Sequence, residues 1–499
     1  MRDPLLLQRE RGEATFGLVS QGSVPPLHYI STRAASAAPE RLAFDDVLLA
    51  GLARDGGLYV PDEVPLFGKD EIAAMAGLPY PELALRVMAP FMGPRGAAPA
   101  TRGLVAASYA GFDHRAVAPL KQLDAALWLM ELFHGPTLAF KDYALQLVGR
   151  LFDEVLAERG DRVTIVGATS GDTGSAAMEA CRDRDSVDIF ILFPAGRTSE
   201  VQRRQMTTLG AANAHAIAIE GHFDDCQDLV KAMFADAAFR DELRLSAVNS
   251  INWARIMAQI VYYFAAALAL GAPHRPIAFS VPTGNFGNVY AGHIARRMGL
   301  PIERLVVGTN RNDILARFLA DGKMTIGTVE PSLSPSMDIQ VSSNFERLFH
   351  ELKERDGAAV AASMGRFRAE GTLPTSASEW RRAQALFAGH RVDDAGIKAE
   401  IAETWARTGE LLDPHSAVAV AAARANPGSG EVPTVALACA HPAKFPDAVE
   451  AATGIRPALP ERLADLYERT ERVTTLPNDL RAVQRFVREH ARILAGVPA

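Results

Sequence analysis

Short apolar runs alternate with helix-period segments between residues 163 and 219, and this alternation constrains the fold more than any other feature of the chain. Residues 163–166 are an apolar run of strand length, followed by a glycine-rich turn at 167–174 and a helix from Ser175. A second strand is expected at 187–193, a helix from about Ser199 stops near Gly210, and a third strand follows at 214–219. Strands separated by a helix run parallel and are buried on both faces. The expectation is an α/β protein with doubly wound, mostly parallel sheets. The pattern resumes after a long helix at 253–270, with a strand at 277–281, a glycine-containing turn at 283–288, a helix at 289–298 and a strand at 305–308. Residues 312–344, rich in Ser, Pro, Asn and Asp, read as an ordered loop, 345–409 as four helical stretches, and 434–438 as a last strand.

At 499 residues the chain is long enough for several domains. The expected division is a disordered leader at 1–27, an N-terminal domain at 28–125, and a small α/β domain at 161–245. A large domain joins 126–160 to 246–475 and includes the helical segment 345–409, and 476–499 forms a C-terminal helix and tail. The 52 basic residues are outnumbered by 59 acidic ones, with no basic block, which argues against a nucleic-acid partner. The three cysteines, Cys181, Cys226 and Cys439, form neither a CxxC pair nor a metal-spaced set. They fit a reducing compartment without disulfides, and no metal is expected. The apolar run at 260–271 is too short to cross a bilayer, and residues 1–26 lack a signal-peptide apolar core, so a cytoplasmic protein is expected.

Three clusters carry chemistry. Lys141 follows Leu138, Ala139 and Phe140 and precedes an amphipathic helix that Gly160 ends. An ammonium among apolar neighbours at the positive end of a helix is disfavoured on both counts, which frees the amine to attack a carbonyl carbon. The bland alternative is a lysine that snorkels to water. Thr283-Gly284-Asn285-Phe286-Gly287-Asn288, between a strand and a helix, is either an anion cradle of backbone N–H groups or a plain tight turn. The turn at 167–174 has neither the dinucleotide glycine spacing nor the Lys-Ser/Thr of a triphosphate loop. The hydroxyls of Thr169, Ser170 and Thr173 there suit a carboxylate or a phosphate. In Asn249-Ser250-Ile251-Asn252-Trp253-Ala254-Arg255, Ser250 or Asn252 reads as a helix cap, with an oxyanion clamp as the alternative.

Together these blocks resemble the threonine synthase family, in its longer bacterial and fungal form, a pyridoxal-phosphate fold of type II related to the tryptophan synthase β subunit. The resemblance rests on Tyr29-Ile-Ser-Thr-Arg33, Asp55-Gly-Gly-Leu-Tyr-Val-Pro61, His134-Gly-Pro-Thr-Leu-Ala-Phe-Lys-Asp142 and Ala168-Thr-Ser-Gly-Asp-Thr-Gly-Ser175. It continues through Phe193-Pro-Ala-Gly-Arg197, Val281-Pro-Thr-Gly-Asn-Phe-Gly-Asn288, the block from Pro335 to Glu346, and Ala440-His-Pro-Ala-Lys-Phe445. It implies that Lys141 bonds pyridoxal 5'-phosphate covalently and that Gly284, Asn285, Phe286, Gly287 and Asn288 hold the cofactor phosphate. Asp172, where related enzymes carry Asn, would lie near the cofactor's phenolic oxygen. Thr169, Ser170, Gly171 and Thr173 would receive the substrate amino acid, and Asn249, Ser250 and Arg255 the substrate phosphate. Arg33 and Asp55 are family marks without an assigned role. One departure stands out: Cys439 occupies a position where the family usually has Thr facing the pyridine nitrogen, and a thiol is the weaker hydrogen-bonding group.

The activity so implied is that of a carbon–oxygen lyase acting on phosphates, converting O-phospho-L-homoserine and water to L-threonine and phosphate. The alternatives are a phospholyase of the same fold that releases a 2-oxo acid and ammonia, and a non-catalytic binding protein that kept the fold. The longer family members imply a monomer, with a dimer as the alternative.

Overall fold

The computed structural model describes residues 27–494 apart from 36–37, 248–249 and 429. Asn249 and all of the expected leader except Leu27 lie outside the described residues. Two sheets organise the chain. The larger has six strands, in the order Phe387–Arg391, Ile302–Thr309, Ile277–Pro282, Thr434–Ala438, Leu127–Glu131 and Leu120–Gln122. All neighbours are parallel except the last pair, an antiparallel hairpin whose turn is held by Asp124 Oδ1 accepting from the N–H groups of Ala126 and Leu127. The smaller sheet is wholly parallel, in the order Thr474–Pro477, Ala214–Glu220, Val187–Pro194, Val163–Ala168 and Leu245–Ser246. Its central strand, Val187–Pro194, is buried at every residue, as a strand covered by helices on both faces must be.

Because neighbouring parallel strands end at the same edge, connections leaving their carboxyl ends are brought together. In the larger sheet, Ala438 pairs with Glu131, and Thr434–Ala438 lies between Leu127–Glu131 and Ile277–Pro282. The three central strands therefore deliver the 134–142 loop, the 283–288 turn and Cys439 to one place. In the smaller sheet, Val163–Ala168 delivers residues 169–173.

The helices at Phe345–Leu352, Gly357–Glu370, Ala377–Gln384 and Asp394–Thr408 match the four expected stretches. Three features differ from the sequence expectation. Ile314–Asp321, within the expected loop, is a helix that buries Ile314, Leu315, Phe318 and Leu319, an i, i+1, i+4, i+5 stripe masked by polar flanks. Phe387–Arg391 is the edge strand of the larger sheet. Asp413 caps an unforeseen helix at Pro414–Ala425, with Pro414 at its first turn.

The N-terminal motifs acquire a structural role. Arg33 forms a two-pronged pair with Glu346, Nε to Oε1 at 2.8 Å and Nη2 to Oε2 at 2.6 Å, and Thr32 Oγ1 donates to the same carboxylate at 2.7 Å. Asp55 Oδ1 accepts from Ser31 Oγ at 2.7 Å and from Gly57 N at 2.8 Å. Fully buried Arg347 donates to the carbonyls of Tyr59 and Ile251, at 3.0 and 2.6 Å. The N-terminal segment is thus tied to the helix Phe345–Leu352.

The helix Lys141–Arg159 begins at the lysine and ends at Gly160, whose φ of 63° suits a residue without Cβ. It packs tightly on the helix Asp172–Cys181. At Gly149 an added Cβ would meet the Ala180 carbonyl oxygen at 2.4 Å. Gly149→Leu, though favoured by helix propensity, should therefore cost about 1–3 kcal/mol or more, read as a lower midpoint of urea unfolding at unchanged slope. An unchanged midpoint would mean that the two helices are not in close register.

Candidate functional site

Lys141 is the first residue of its helix and is buried. The loop before it is zipped along the segment that leaves the central strand: Phe140 N donates to Cys439 O at 2.8 Å and His441 N to Leu138 O at 3.0 Å. Leu138, fully buried, holds a left-handed φ of 63°, an uncommon conformation for a residue with a branched side chain. Asp142 closes the loop by accepting from Thr137 N at 2.8 Å and Thr137 Oγ1 at 2.7 Å. Burial pushes the Asp142 carboxyl up to about 6, against the opposing effect of the Thr137 bonds and of Lys444.

The apolar setting expected of Lys141 is only half of its environment. Its Nζ lies 3.2 Å from Asp172 Oδ2. Asp172 Oδ1 in turn lies 2.9 Å from Nζ of the wholly buried Lys444 and accepts from Gln202 Nε2 at 2.9 Å. Ser336 Oγ donates to Oδ2 at 3.3 Å. Burial alone would raise the Asp172 carboxyl, but the ammonium groups of Lys141 and Lys444 outweigh it and hold this group well below the usual carboxylate range. Asp172 starts its helix after Gly171, whose φ of 147° leaves no room for a side chain against Gln202. Thr169 Oγ1 already accepts from Gly171 N at 3.0 Å and Gly174 N at 2.9 Å, so its hydroxyl shapes the turn and has its proton left to donate. Ser170 and Thr173 are partly exposed beside it.

At the 283–288 turn the geometry favours the anion cradle. Ser342 Oγ donates to Gly284 O at 2.6 Å and Asn344 N to Asn285 O at 3.1 Å. In a trans peptide plane the N–H points opposite the C=O, so the N–H groups of Asn285 and Phe286 face away from that segment. Phe286 takes a φ of 62°, and the helix Gly287–Arg297 then begins, with first-turn N–H groups that have no intrahelical acceptor. A Cβ at Gly284 would come within 3.0 Å of Ser336 O. The Asn288 side chain is committed elsewhere: its Oδ1 accepts from Tyr262 Oη at 2.6 Å and Tyr263 Oη at 3.0 Å, and its Nδ2 lies 3.9 Å from Cys439 Sγ. Burial pushes the Cys439 thiol well above its ordinary range, which keeps it protonated.

Asn252 caps the helix Trp253–Ala269, accepting from Ala254 N at 3.0 Å, in line with the cap reading for that residue. Ser250 gives its carbonyl to Asn344 Nδ2 at 3.0 Å, and the same amide stands 3.2 Å from the Cβ position of Gly287, so this helix start abuts the cradle. Arg255 is 3% exposed, and its Nε and Nη1 have no partner among the described residues. Burial pulls its guanidinium down to about 10. A buried cation without a counter-ion calls for an anion.

The structure thus groups Lys141, Asp172, Cys439 and Asn288 and sets Arg255 beside the cradle. Lys444, Gln202 and Ser336, to which the sequence alone assigns no role, also belong to the group. Lys444 and Ser336 lay within recognisable blocks, whereas Gln202 carried no signal. Among the described residues no cluster suited to a metal is present.

Sequence comparison matches three segments of the chain. Residues 28–109 match the family described as threonine synthase N terminus, 113–369 that of pyridoxal-phosphate dependent enzymes, and 416–487 that of threonine synthase, C-terminal. Threonine synthase of Pseudomonas aeruginosa is 59% identical over 465 residues, covering 93% of this chain and 98% of the relative. The chain belongs to the threonine synthase family. The crystal structure of PLP-bound threonine synthase from Brucella melitensis superposes with a TM-score of 0.90 at 54% identity, over 93% of this chain and all of that one. A rat protein named threonine synthase-like 2 is 37% identical, covering 90% of this chain and 93% of its own length.

A threonine synthase fold that buries its thiols this deeply should protect them. Burial pushes Cys181 and Cys226 up to about 12 and Cys439 higher still. Iodoacetamide at pH 8 should leave all three unmodified in the native protein and alkylate all three in urea, as mass spectrometry would register. Rapid native alkylation of Cys439 would show that its thiol is reactive despite its burial.

Proposed function

We propose that the chain converts O-phospho-L-homoserine and water to L-threonine and phosphate, with pyridoxal 5'-phosphate as its cofactor. The carrying observation is that the chain has, besides one buried lysine, two separate features suited to anions. The N–H cradle of 283–288 suits a phosphate that stays, and the unpartnered guanidinium of Arg255 suits one that leaves. An enzyme acting on an unphosphorylated hydroxy-amino acid has no use for the second device.

The residues fit the cofactor. Gly284, Asn285, Phe286, Gly287 and Asn288 would hold its phosphate through backbone N–H groups. Lys141 would bond it, Asp172 would sit at its polar edge, and the neutral thiol of Cys439 would face its ring. Once bound, pyridoxal phosphate supplies an electron sink for the substrate carbons next to the amino group. In this reading Lys141 Nζ removes the proton from the substrate Cα and delivers protons as the γ-phosphate departs and water adds at Cβ. Arg255 with Ser250, and with Asn249, which lies outside the described residues, holds the departing phosphate as its charge develops. Thr169, Ser170, Gly171 and Thr173 orient the substrate carboxylate.

We divide the chain as the sequence suggests, but assign residues 474–494 to the small unit, because Thr474–Pro477 pairs with Ala214–Glu220 and Leu480–His490 packs on the same sheet. The hairpin strand Leu120–Gln122 goes with the large unit. No helix among the described residues is long and apolar enough to cross a membrane.

With O-phospho-L-homoserine and cofactor, threonine and phosphate should form in equal amounts; predominant 2-oxobutyrate and ammonia would assign a phospholyase instead. Lys141→Ala should lower turnover by roughly a thousandfold or more. A variant retaining activity would remove Lys141 from the chemistry. Arg255→Gln should raise KM by roughly 10- to 100-fold while leaving cofactor affinity within about threefold, since one charge-assisted bond is worth about 1.5–3 kcal/mol. An equal loss of both would place Arg255 at the cofactor.

A further inference from the structure

Two ammonium groups share one carboxylate at the centre of this site. Asp172 lies 3.2 Å from Lys141 Nζ and 2.9 Å from Lys444 Nζ. The Lys444 side chain has no exposed surface, and its other contact is the Thr137 carbonyl at 2.7 Å. Burying a lysine completely is costly unless it is paired, and a neutral side chain of similar length would fill the space at less cost. The catalytic reading of Lys141 makes a demand that Asp172 alone opposes. To act as nucleophile and base, Lys141 must give up a proton, yet a lone carboxylate at 3.2 Å would hold that proton in place.

We propose that Lys444 is a positioning residue whose fixed positive charge neutralises Asp172, so that Lys141 faces a hydrogen-bond acceptor without net charge and can release its proton. This rests on the reading of Lys141 as the reactive amine. Asp172 and Lys444 then act as one neutral unit. Gln202 and the Thr137 carbonyl hold the far side of that unit, while Lys141 is the member free to change its charge.

The surrounding titratable groups do not supply this function. His441, which feels the Lys444 charge, is pulled down to about 4, mainly by burial, and stays neutral near pH 7. Cys439, which feels both Lys141 and Asp172, is kept protonated by burial. Asp142, on the loop side of Lys444, is raised by burial to about 6 and becomes an anion only above that. His415, whose charge would also lower Asp172, has its Nδ1 held by Asp413 Oδ2 at 2.7 Å. Lys444 is the cation in direct contact with Asp172 that the reaction does not consume.

The test follows the proton on Lys141 in cofactor-free protein, by competitive acetylation with acetic anhydride across pH 6–11 and mass spectrometry of the Lys141 peptide. Lys444→Met leaves the carboxylate uncompensated and should raise the pH of half-maximal labelling by about one unit or more. Asp172→Asn leaves two cations together and should lower it by a similar amount. Asp172→Asn combined with Lys444→Gln restores a neutral pair, keeps a donor for the Thr137 carbonyl, and should return the midpoint to within about half a unit of the parent. In loaded enzyme the basic limb of kcat should move in the same order.

If Lys444→Met does not fold, the single Asn variant and the double variant still differ by the predicted interval. An unchanged midpoint in Lys444→Met, or a double variant that labels like Asp172→Asn, overturns the proposal and leaves Lys444 a support for the Thr137 carbonyl. Because labelling is read without substrate, a protein that follows this order but makes no threonine would overturn the proposed function alone.

Discussion

The ion pair between Asp172 and the two lysines is the contact on which the rest of the site depends. Asp172 starts the first helix of the smaller sheet, whereas Lys141 and Lys444 leave strands of the larger one. One carboxylate therefore both joins the two sheets and sets the charge beside Lys141. Removing one member of a buried pair typically costs about 3–5 kcal/mol, so this contact cannot be altered for chemical purposes without a structural effect. Gln202 and Ser336 saturate the remaining lone pairs, which is what makes a buried carboxylate tolerable at all.

Around that pair, rigidity comes from held backbone carbonyls. Leu138 and Phe286 both take left-handed φ values, on either side of the place where Cys439 enters. Such residues persist only where their surroundings over-determine them. Here hydrogen bonds at Cys439 O, Leu138 O, Gly284 O and Asn285 O do so. The N–H groups of the 283–288 turn are thereby fixed in direction by the protein itself.

Much of this was legible in the sequence, and what was not has physical causes. The parallel strands were visible because burial on both faces makes them continuous apolar runs, as in Val187–Pro194. Phe387–Arg391 was hidden because it is an edge strand containing Gly389, with His390 partly exposed. The lysine and the two glycine turns announced themselves through ordered motifs. Lys444 sat inside such a motif, yet nothing local says that its ammonium points inward, since the partner that draws it in lies far away along the chain. Gln202 is less visible still, because its role exists only through the folding of one helix against Gly171. The apolar residues before Lys141 are likewise silent on its pairing with Asp172.

The strand that leads into Cys439 has one more consequence. Thr434–Ala438 occupies the middle of the larger sheet, yet it is the last of the six strands in the chain. As the polypeptide is synthesised, Leu127–Glu131 and Ile277–Pro282 emerge well before the strand that must lie between them. The loop that carries Lys141 gains its strand-like partner, Cys439 to His441, at the same late moment. The site therefore cannot be complete before residues 434–444 have been made, and until then the gap in the sheet exposes two unpaired strand edges.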